Sequence, residues 1–251
     1  MKNKDKITNV SVTIITVLII LLTWTVVSLA VGSKYILPSV YETAIETIKL
    51  FAVGEFYLAF LFTLIRSIIA FILSFLLAFA FSVFAYKSKK ADTVVTLLTG
   101  IMRALPTVAV ILLLLIWTNS QIAPIIVTSL VVLPTLKTEI TNSINAIDKD
   151  VLEMCKVFEV DKKSVYKKVI IPQLSPTVLL SIGAGLSLNV KLMVAAEVLA
   201  STKNSIGNML NFANYNLLVS RMLALVVVSV ITCLIVEKVF KSLSKKAGKW
   251  L

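Results

Sequence analysis

Three charged side chains, Arg66, Lys191 and Glu197, stand inside stretches that are otherwise apolar, and Asn189 lies two positions before the lysine. A central Lys, Arg or Asp in a membrane helix is disfavoured by roughly 2.5–3.5 kcal/mol on insertion scales, so each such charge marks a functional group by default. On one helix Lys191 and Glu197 differ by about 240° in azimuth and do not pair with each other. Each must meet another helix, water or a solute. Asn189, Lys191, Glu197 and Arg66 are therefore the candidate polar residues of a path across a membrane. The alternative puts Glu197 at the outer interface, pairs Lys191 with a neighbouring helix, and leaves Arg66 and Arg221 to snorkel or to pair between helices.

Bond-making chemistry has little support. The chain contains no His, which removes the commonest general base and metal ligand. No Gly-x-x-x-x-Gly-Lys-Ser/Thr occurs, so there is no P-loop for ATP, and no Ser stands in a nucleophile motif. The acidic residues near the middle of the chain are scattered without metal-ligand spacing. The expectation is a chain that is not an enzyme, with no cofactor and no metal.

The elements that position these residues follow from composition. Of 251 residues 58% are hydrophobic and 15% charged, and the mean hydropathy is +0.97. That profile belongs in a bilayer, where a span needs roughly 20 apolar residues. Six spans fit, at about 10–30, 58–84, 97–118, 122–140, 174–200 and 216–236. The first apolar run is longer than the about 7–15 residues of a signal-peptide core, so it reads as a retained span. Pro106, Pro124 and Pro134 fall near or within spans, where they shape the bundle or act as hinges. No repeat and no linker divides the chain, so residues 1–251 read as one membrane domain.

Lys and Arg placement sets the orientation. With the N-terminus inside, the cytoplasmic segments carry Lys2, Lys4, Lys6, Lys87, Lys89, Lys90 and Lys137, the basic residues of the long loop, and those of the tail through Lys249. The opposite side holds Lys34, Lys49 and Lys203. This asymmetry, together with anionic lipid, accounts for the net charge of +12 without nucleic acid. Cys155 falls in the cytoplasm and Cys233 in a span, so the two do not form a structural disulfide. On the outer side, Ser39 followed by Glu42 is a capping-box pattern opening a short amphipathic helix. The Asn-rich segment 201–216 reads either as a landing surface for a binding protein or as a turn-rich connection.

The long cytoplasmic loop, about 148–172, predicts one short helix from Asp148 to Lys156 and a second from Lys162 to Val169, N-capped by Asp161 and stopped by Pro172. Two short helices joined by a tight turn make a rigid knob. Within it, Glu153-Met154-Cys155, then Glu159, then Val169-Ile170-Ile171-Pro172 resembles the cytoplasmic loop of binding-protein-dependent ABC importer permeases: Glu-Ala-Ala, a Gly six residues after the Glu, and Ile-x-Leu-Pro ten residues further on. Met154 and Cys155 replace the two Ala, and Glu159 replaces the Gly. A positive φ at that position would strain the glutamate. Leu37-Pro38-Ser39, Thr63-Leu64-Ile65-Arg66, Arg103-Ala104-Leu105-Pro106, Trp117 and Ala195-Ala196-Glu197-Val198-Leu199-Ala200 are similar to stretches of the sulfonate, nitrate and taurine branch of that family, which also includes transporters of thiamine precursors and riboflavin.

The resemblance implies an all-α, six-helix membrane protein of the type I ABC importer permease fold, with both termini cytoplasmic. It implies a permease that forms the path for a small organic solute, multi-pass in the plasma or inner membrane. Glu153, Met154, Cys155, Val157, Phe158, Glu159, Val160 and Asp161 would be the ATPase-coupling residues. The implied partners are ABC ATPase subunits, an extracytoplasmic solute-binding protein or lipoprotein, a second permease copy (identical or homologous) and the lipid bilayer. The alternative is an ATP-independent secondary transporter or channel, which needs an inverted repeat or a chain of buried ionisable groups. Small residues Ser181, Gly183, Gly185 and Ser187 allow close helix packing, either within the chain or between copies.

Overall fold

The computed structural model describes residues 2–248, with side chains from Ser11 onward; Lys249 and the side chains of Lys2, Lys4 and Lys6, which enter the charge asymmetry, lie outside the described residues. Among the described residues all regular structure is helical. The helices are α1 (Lys2–Val31), α2 (Val40–Leu50), α3 (Gly54–Lys87), α4 (Lys89–Ala104), α5 (Thr107–Trp117), α6 (Ala123–Asn145), α7 (Lys149–Val157), α8 (Lys162–Val165), α9 (Ile171–Leu199), α10 (Ile206–Tyr215) and α11 (Val219–Ala247), with a π-helical turn, Tyr166–Ile170, between α8 and α9. Five helical segments are long and apolar enough to cross a membrane, or six when α4 and α5 count as one broken span.

Three expectations are corrected here. The sequence predicts a single helix over 97–118, yet α4 and α5 meet at 91°. Pro106 is the cause: its ring disfavours the helical region for the residue before it, and Leu105 is extended at φ −67°, ψ 127°. The second concerns Pro172, which does not stop a helix. The chain stays helical from Lys162 to Leu199. Proline has no N–H to donate, and the ladder loosens into the π turn just before it, where the Ile171 N–H reaches back to the Tyr166 carbonyl. The third is the connection 201–216, most of which is α10 rather than turns; Ser205 caps it by accepting the Asn208 N–H at 2.9 Å.

The described chain falls into two compact units, one made of residues up to Tyr57 with Met209–Val228, the other of Leu58–Asn208 with the residues from Ser229 onward. In the first, α1 hands over to α2 through polar side chains: the Trp24 Nε1–H donates to the Pro38 carbonyl at 3.1 Å and the Ser28 hydroxyl to that of Leu37 at 3.0 Å. The capping box forms as the sequence predicts, Ser39 Oγ accepting the Glu42 N–H and Glu42 Oε2 accepting that of Ser39. Phe51 and Phe56 meet edge to face at 5.4 Å, closing the turn into α3.

In the second unit α3, α6 and α9 form the core, with Phe71, Ala78, Val132, Leu133, Leu136 and Ile140 at its centre. Hydroxyls bind α3 to α6: Ser74 donates to the Ser129 carbonyl at 3.1 Å and Ser129 to that of Ala70 at 3.0 Å, so each helix lends the other a side-chain donor. The small residues of α9 make intrachain contacts. Gly183 faces Phe240, Gly185 faces Leu136 and Phe71, and the Ser187 hydroxyl donates to Glu237 Oε1 at 2.6 Å.

A Cβ on Gly185 would lie 2.6 Å from Leu136 Cδ2 and 3.1 Å from Phe71 Cε2. Gly185→Val is expected to lower stability by about 1–3 kcal/mol through overpacking, measured as thermal unfolding of the detergent-purified chain. Gly100→Ala, where nothing lies within 4 Å of the added carbon, should be neutral or stabilising by up to about 1 kcal/mol.

Candidate functional site

The loop between α6 and α9 is a stiff hairpin of short helices. Asp148 caps α7, its Oδ1 accepting the Asp150 and Val151 N–H groups at 2.9 and 3.4 Å. Asp161 caps α8 by accepting the Ser164 N–H at 3.1 Å. Those bonds from Ser164, side chain and backbone together, hold the Asp161 carboxyl below the usual carboxylate range. Between the caps, the Val160 N–H bonds the Cys155 carbonyl at 2.9 Å and the Glu159 N–H bonds that of Lys156 at 3.1 Å, the paired bonds of a Schellman C-cap. The motif needs a left-handed residue, and Glu159 supplies it at φ 50°. The glutamate therefore adopts the turn that a glycine would make, at the expense of local strain.

The hairpin presents apolar side chains to the outside. Val157 is 78% and Phe158 73% exposed, with Met154 and Val160 beside them. Glu153, Glu159 and Asp161 are exposed carboxylates around that patch, and Cys155 is half-buried, its carbonyl held by the turn. One contact was missed by sequence reasoning: the Asp148 N–H donates to Gln173 Oε1 at 3.0 Å, tying the start of α7 to the first turn of α9. Nothing in the sequence distinguishes Gln173 from an ordinary polar residue at a helix start.

At the other end of α9 the polar residues form a closed network. Glu197 is fully buried; its Oε1 accepts Arg66 Nη1–H at 2.8 Å and its Oε2 accepts the Thr63 hydroxyl at 2.8 Å. Arg66 spends its remaining donors on Gln121 Oε1 at 2.5 Å and on the carbonyls of Lys203 and Asn204 at 3.2 and 3.4 Å. Thr63 Oγ1 in turn accepts the Ile206 N–H at 3.0 Å. The carboxylate and guanidinium thus staple α3 and α9 to the segment leading into α10. Gly207 packs directly on Glu197, where a Cβ would come within 2.6 Å of backbone. Two stretches that carry the family resemblance, Thr63–Arg66 and Ala195–Ala200, meet at this point. Thr63 could have been read from its place three residues before Arg66 on the same helix face. Gln121 gave no such signal.

The other two predicted residues stand apart from this network and from each other. Asn189 is fully buried, and neither its Oδ1 nor its Nδ2 has a partner among the described residues. Lys191 is exposed on the one open face of α9, a row of Thr177, Leu180, Ala184, Lys191, Ala195 and Leu199 at helical spacing. No ion pair among the described residues engages it. The geometry joins Arg66 to Glu197, keeps Lys191 from both, and leaves the lysine as the charge on that face. Arg103, by contrast with Lys191, is held in place, donating to the Pro134 carbonyl at 2.9 Å and to Thr138 Oγ1 at 2.5 Å.

Comparison with known proteins identifies the family and the fold. The family described as "Binding-protein-dependent transport system inner membrane component" matches residues 77–249. The chain is 23% identical over 234 residues to the putative aliphatic sulfonates transport permease protein SsuC of Bacillus subtilis (strain 168), covering 92% of this chain and 84% of that protein. Among solved structures it is similar to the MetNI methionine ABC transporter in inward-facing conformations, with a TM-score of 0.64 at 15% identity over 74% of this chain and 93% of that one. It also matches a crystal structure of an amino acid ABC transporter with histidines, at a TM-score of 0.60 and 15% identity over 77% and 92% of the two chains.

Removing one partner of a buried ion pair strands the other charge, so Arg66→Gln is expected to destabilise the protein by about 3–5 kcal/mol, and adding Glu197→Gln should recover part of that loss in a double-mutant cycle of unfolding midpoints. Glu159→Gly removes the left-handed strain and should slow hydrogen exchange at the Val160 amide, by a stabilisation of about 1 kcal/mol. Because the folded Asp161 carboxyl titrates low, its cap is present above the ordinary aspartate pKa and is lost as pH falls through the folded value. Exchange at the Ser164 amide, relative to its intrinsic rate, should therefore rise on acidification in the parent and stay flat in Asp161→Asn.

Proposed function

Because the chain belongs to the family of binding-protein-dependent transport system inner membrane components, we propose that it forms the path of a small organic anion and is driven through the α7–α8 hairpin. It is a multi-pass membrane permease of an ABC importer, a transport component whose ATPase is a separate subunit and whose solute arrives on a binding protein. The proposal adds the orientation, the coupling contact, the assembly and the solute class.

The observation that carries the coupling contact is the exposed apolar tip, Met154, Val157, Phe158 and Val160, on a hairpin fixed by two aspartate caps and a Schellman turn. An apolar patch on a rigid, solvent-facing knob is suited to a cleft in another protein. Glu153, Glu159 and Asp161 add exposed carboxylates to the same hairpin and the Cys155 carbonyl holds its turn, so all eight residues are assigned to the contact with the ATPase. The basic residues flanking this hairpin support a cytoplasmic hairpin with both termini on the same side. ATP-driven closure of two ATPases then moves the hairpin, and alternating access follows at the α9 helices of two permease copies, identical or homologous. The Asn-rich segment 201–216 lies on the binding-protein side in this reading.

The open face of α9 supports the solute class. Lys191 is its charge, with Ala184 and Ala195 leaving room on either side. Arg66 and Glu197 neutralise one another and so contribute no net charge to the path, though both fix the helix that forms it. Asn189, buried without a partner, is the hydrogen-bonding group that becomes available when α9 reorients. The SsuC relative is named for aliphatic sulfonates, which are anions.

The test is uptake in a strain carrying the whole importer. Val157→Asp with Phe158→Asp, and separately Glu153→Ala, are expected to abolish uptake of the solute and its stimulation of ATP hydrolysis while membrane insertion is unchanged; unchanged uptake overturns the coupling contact. Lys191→Gln should cut uptake of short alkanesulfonates at least tenfold while sparing Arg66–Glu197 stability, and equal uptake would remove the anion assignment.

A further inference from the structure

We propose that the cavity between the end of α1, α2 and the start of α11 binds the phosphate of a phospholipid headgroup. The cavity is about 460 Å³ and lies wholly within the first compact unit. Three cations line it: Lys34, Lys49 and Arg221. Two carboxylates line it as well, but both are engaged. Glu42 closes the capping box with Ser39, and Glu46 binds Lys49 at 2.7 Å. Lys34 and Arg221 remain, and no ion pair among the described residues engages either. Lys34 rests against the Tyr35 ring at 5.5 Å, while Arg221 keeps its Nε–H buried with no acceptor. Arg221 lines a roomy cavity and carries a donor that no group among the described residues satisfies, an unmet demand for an anion, and the planar guanidinium fork matches phosphate oxygens.

The surroundings select a lipid as the source of that anion. α2 has three faces. Thr43 and Leu50 are buried, Glu42, Ile45, Glu46 and Lys49 face the cavity, and Tyr41, Ile48 and Phe51 form an exposed apolar row, the first two 73% exposed each. Beside the cavity α1 shows no buried residue in its most apolar window. An amphipathic helix with an exposed apolar row, adjoining an open apolar span, lies at the level of the headgroups, with acyl chains along α1 and the phosphate within reach of Arg221. A soluble anion would need none of that apolar surface.

The experiment reconstitutes the full-length chain in nanodiscs of phosphatidylcholine and phosphatidylglycerol and counts the lipids retained after gentle release by native mass spectrometry. The expected result is a tightly retained phosphatidylglycerol whose occupancy falls about fivefold in Arg221→Gln, and also in Lys34→Gln, and is held by Arg221→Lys. The lysine variant and unfolding midpoints separate loss of the site from loss of the fold. Unchanged retention in both glutamine variants overturns the proposal. So does displacement of the lipid by millimolar inorganic phosphate, which would make this a free-anion site. Crosslinking of Arg221→Cys to an acidic segment of the binding protein in the intact importer, with no lipid retained, also overturns it.

Discussion

The Arg66–Glu197 pair is the constraint on which the far end of the second unit is built. A carboxylate with no exposed surface, at the last turn of a membrane helix, is tolerable only if both oxygens are bonded and a counter-charge is in contact. Those conditions dictate the neighbourhood. Arg66 must reach across from α3, Thr63 must lie one turn before it, and position 207 must be glycine so that the chain entering α10 can touch the glutamate. The surplus donors of Arg66 then pull the carbonyls of Lys203 and Asn204 and the amide of Gln121 into place. An apolar substitute for the pair would pack, but it would give the 201–206 segment nothing to bind. Such a pair specifies one arrangement more than it adds net stability.

Helix ends without glycine recur in this chain. Glu159, Ser201 and Leu217 each adopt a left-handed φ at a helix terminus, and at each its own amide and that of the next residue bond back to carbonyls of the helix just finished. The strain of a side chain at positive φ is about 1–2 kcal/mol, which the bonds and packing of the C-cap offset. Asn204 shares the conformation within the segment that Arg66 holds. The hairpin and the far end of α9 are thus stiffened by the same device at opposite ends of one helix.

Much of this was legible in the sequence because it rests on local chemistry. The capping box at Ser39–Glu42, the aspartate cap of α8 and the short helix after Asp148 depend on hydrogen bonds within four residues, and they form as their spacing predicts. The azimuth of Lys191 against Glu197 is a property of any α-helix, and the two do lie on different faces. What escaped was non-local or cooperative. No periodicity announces that Gln121 or Gln173 will be the acceptor for a group far away in the chain. Pro106 and Pro172 look alike in sequence, yet one breaks its helix by 91° and the other is absorbed by a π turn; the difference lies in what the neighbouring turns can rearrange to accept.

The unbroken helix from Lys162 to Leu199 carries a mechanical consequence. Its 38 residues make a rod of about 57 Å at the helical rise of about 1.5 Å per residue. One end is the second arm of the hairpin and the other is clamped by Glu197. A tilt of about 10° at the hairpin would sweep the distant end through about 10 Å if the rod were rigid, a displacement on the scale of a small solute. Such a rod amplifies: a short stroke at one end becomes a long one at the other, and the π turn at Tyr166–Ile170 is where compliance would be lost or gained. Any stroke delivered at the hairpin would be geared by the length of a single helix and the softness of one of its turns.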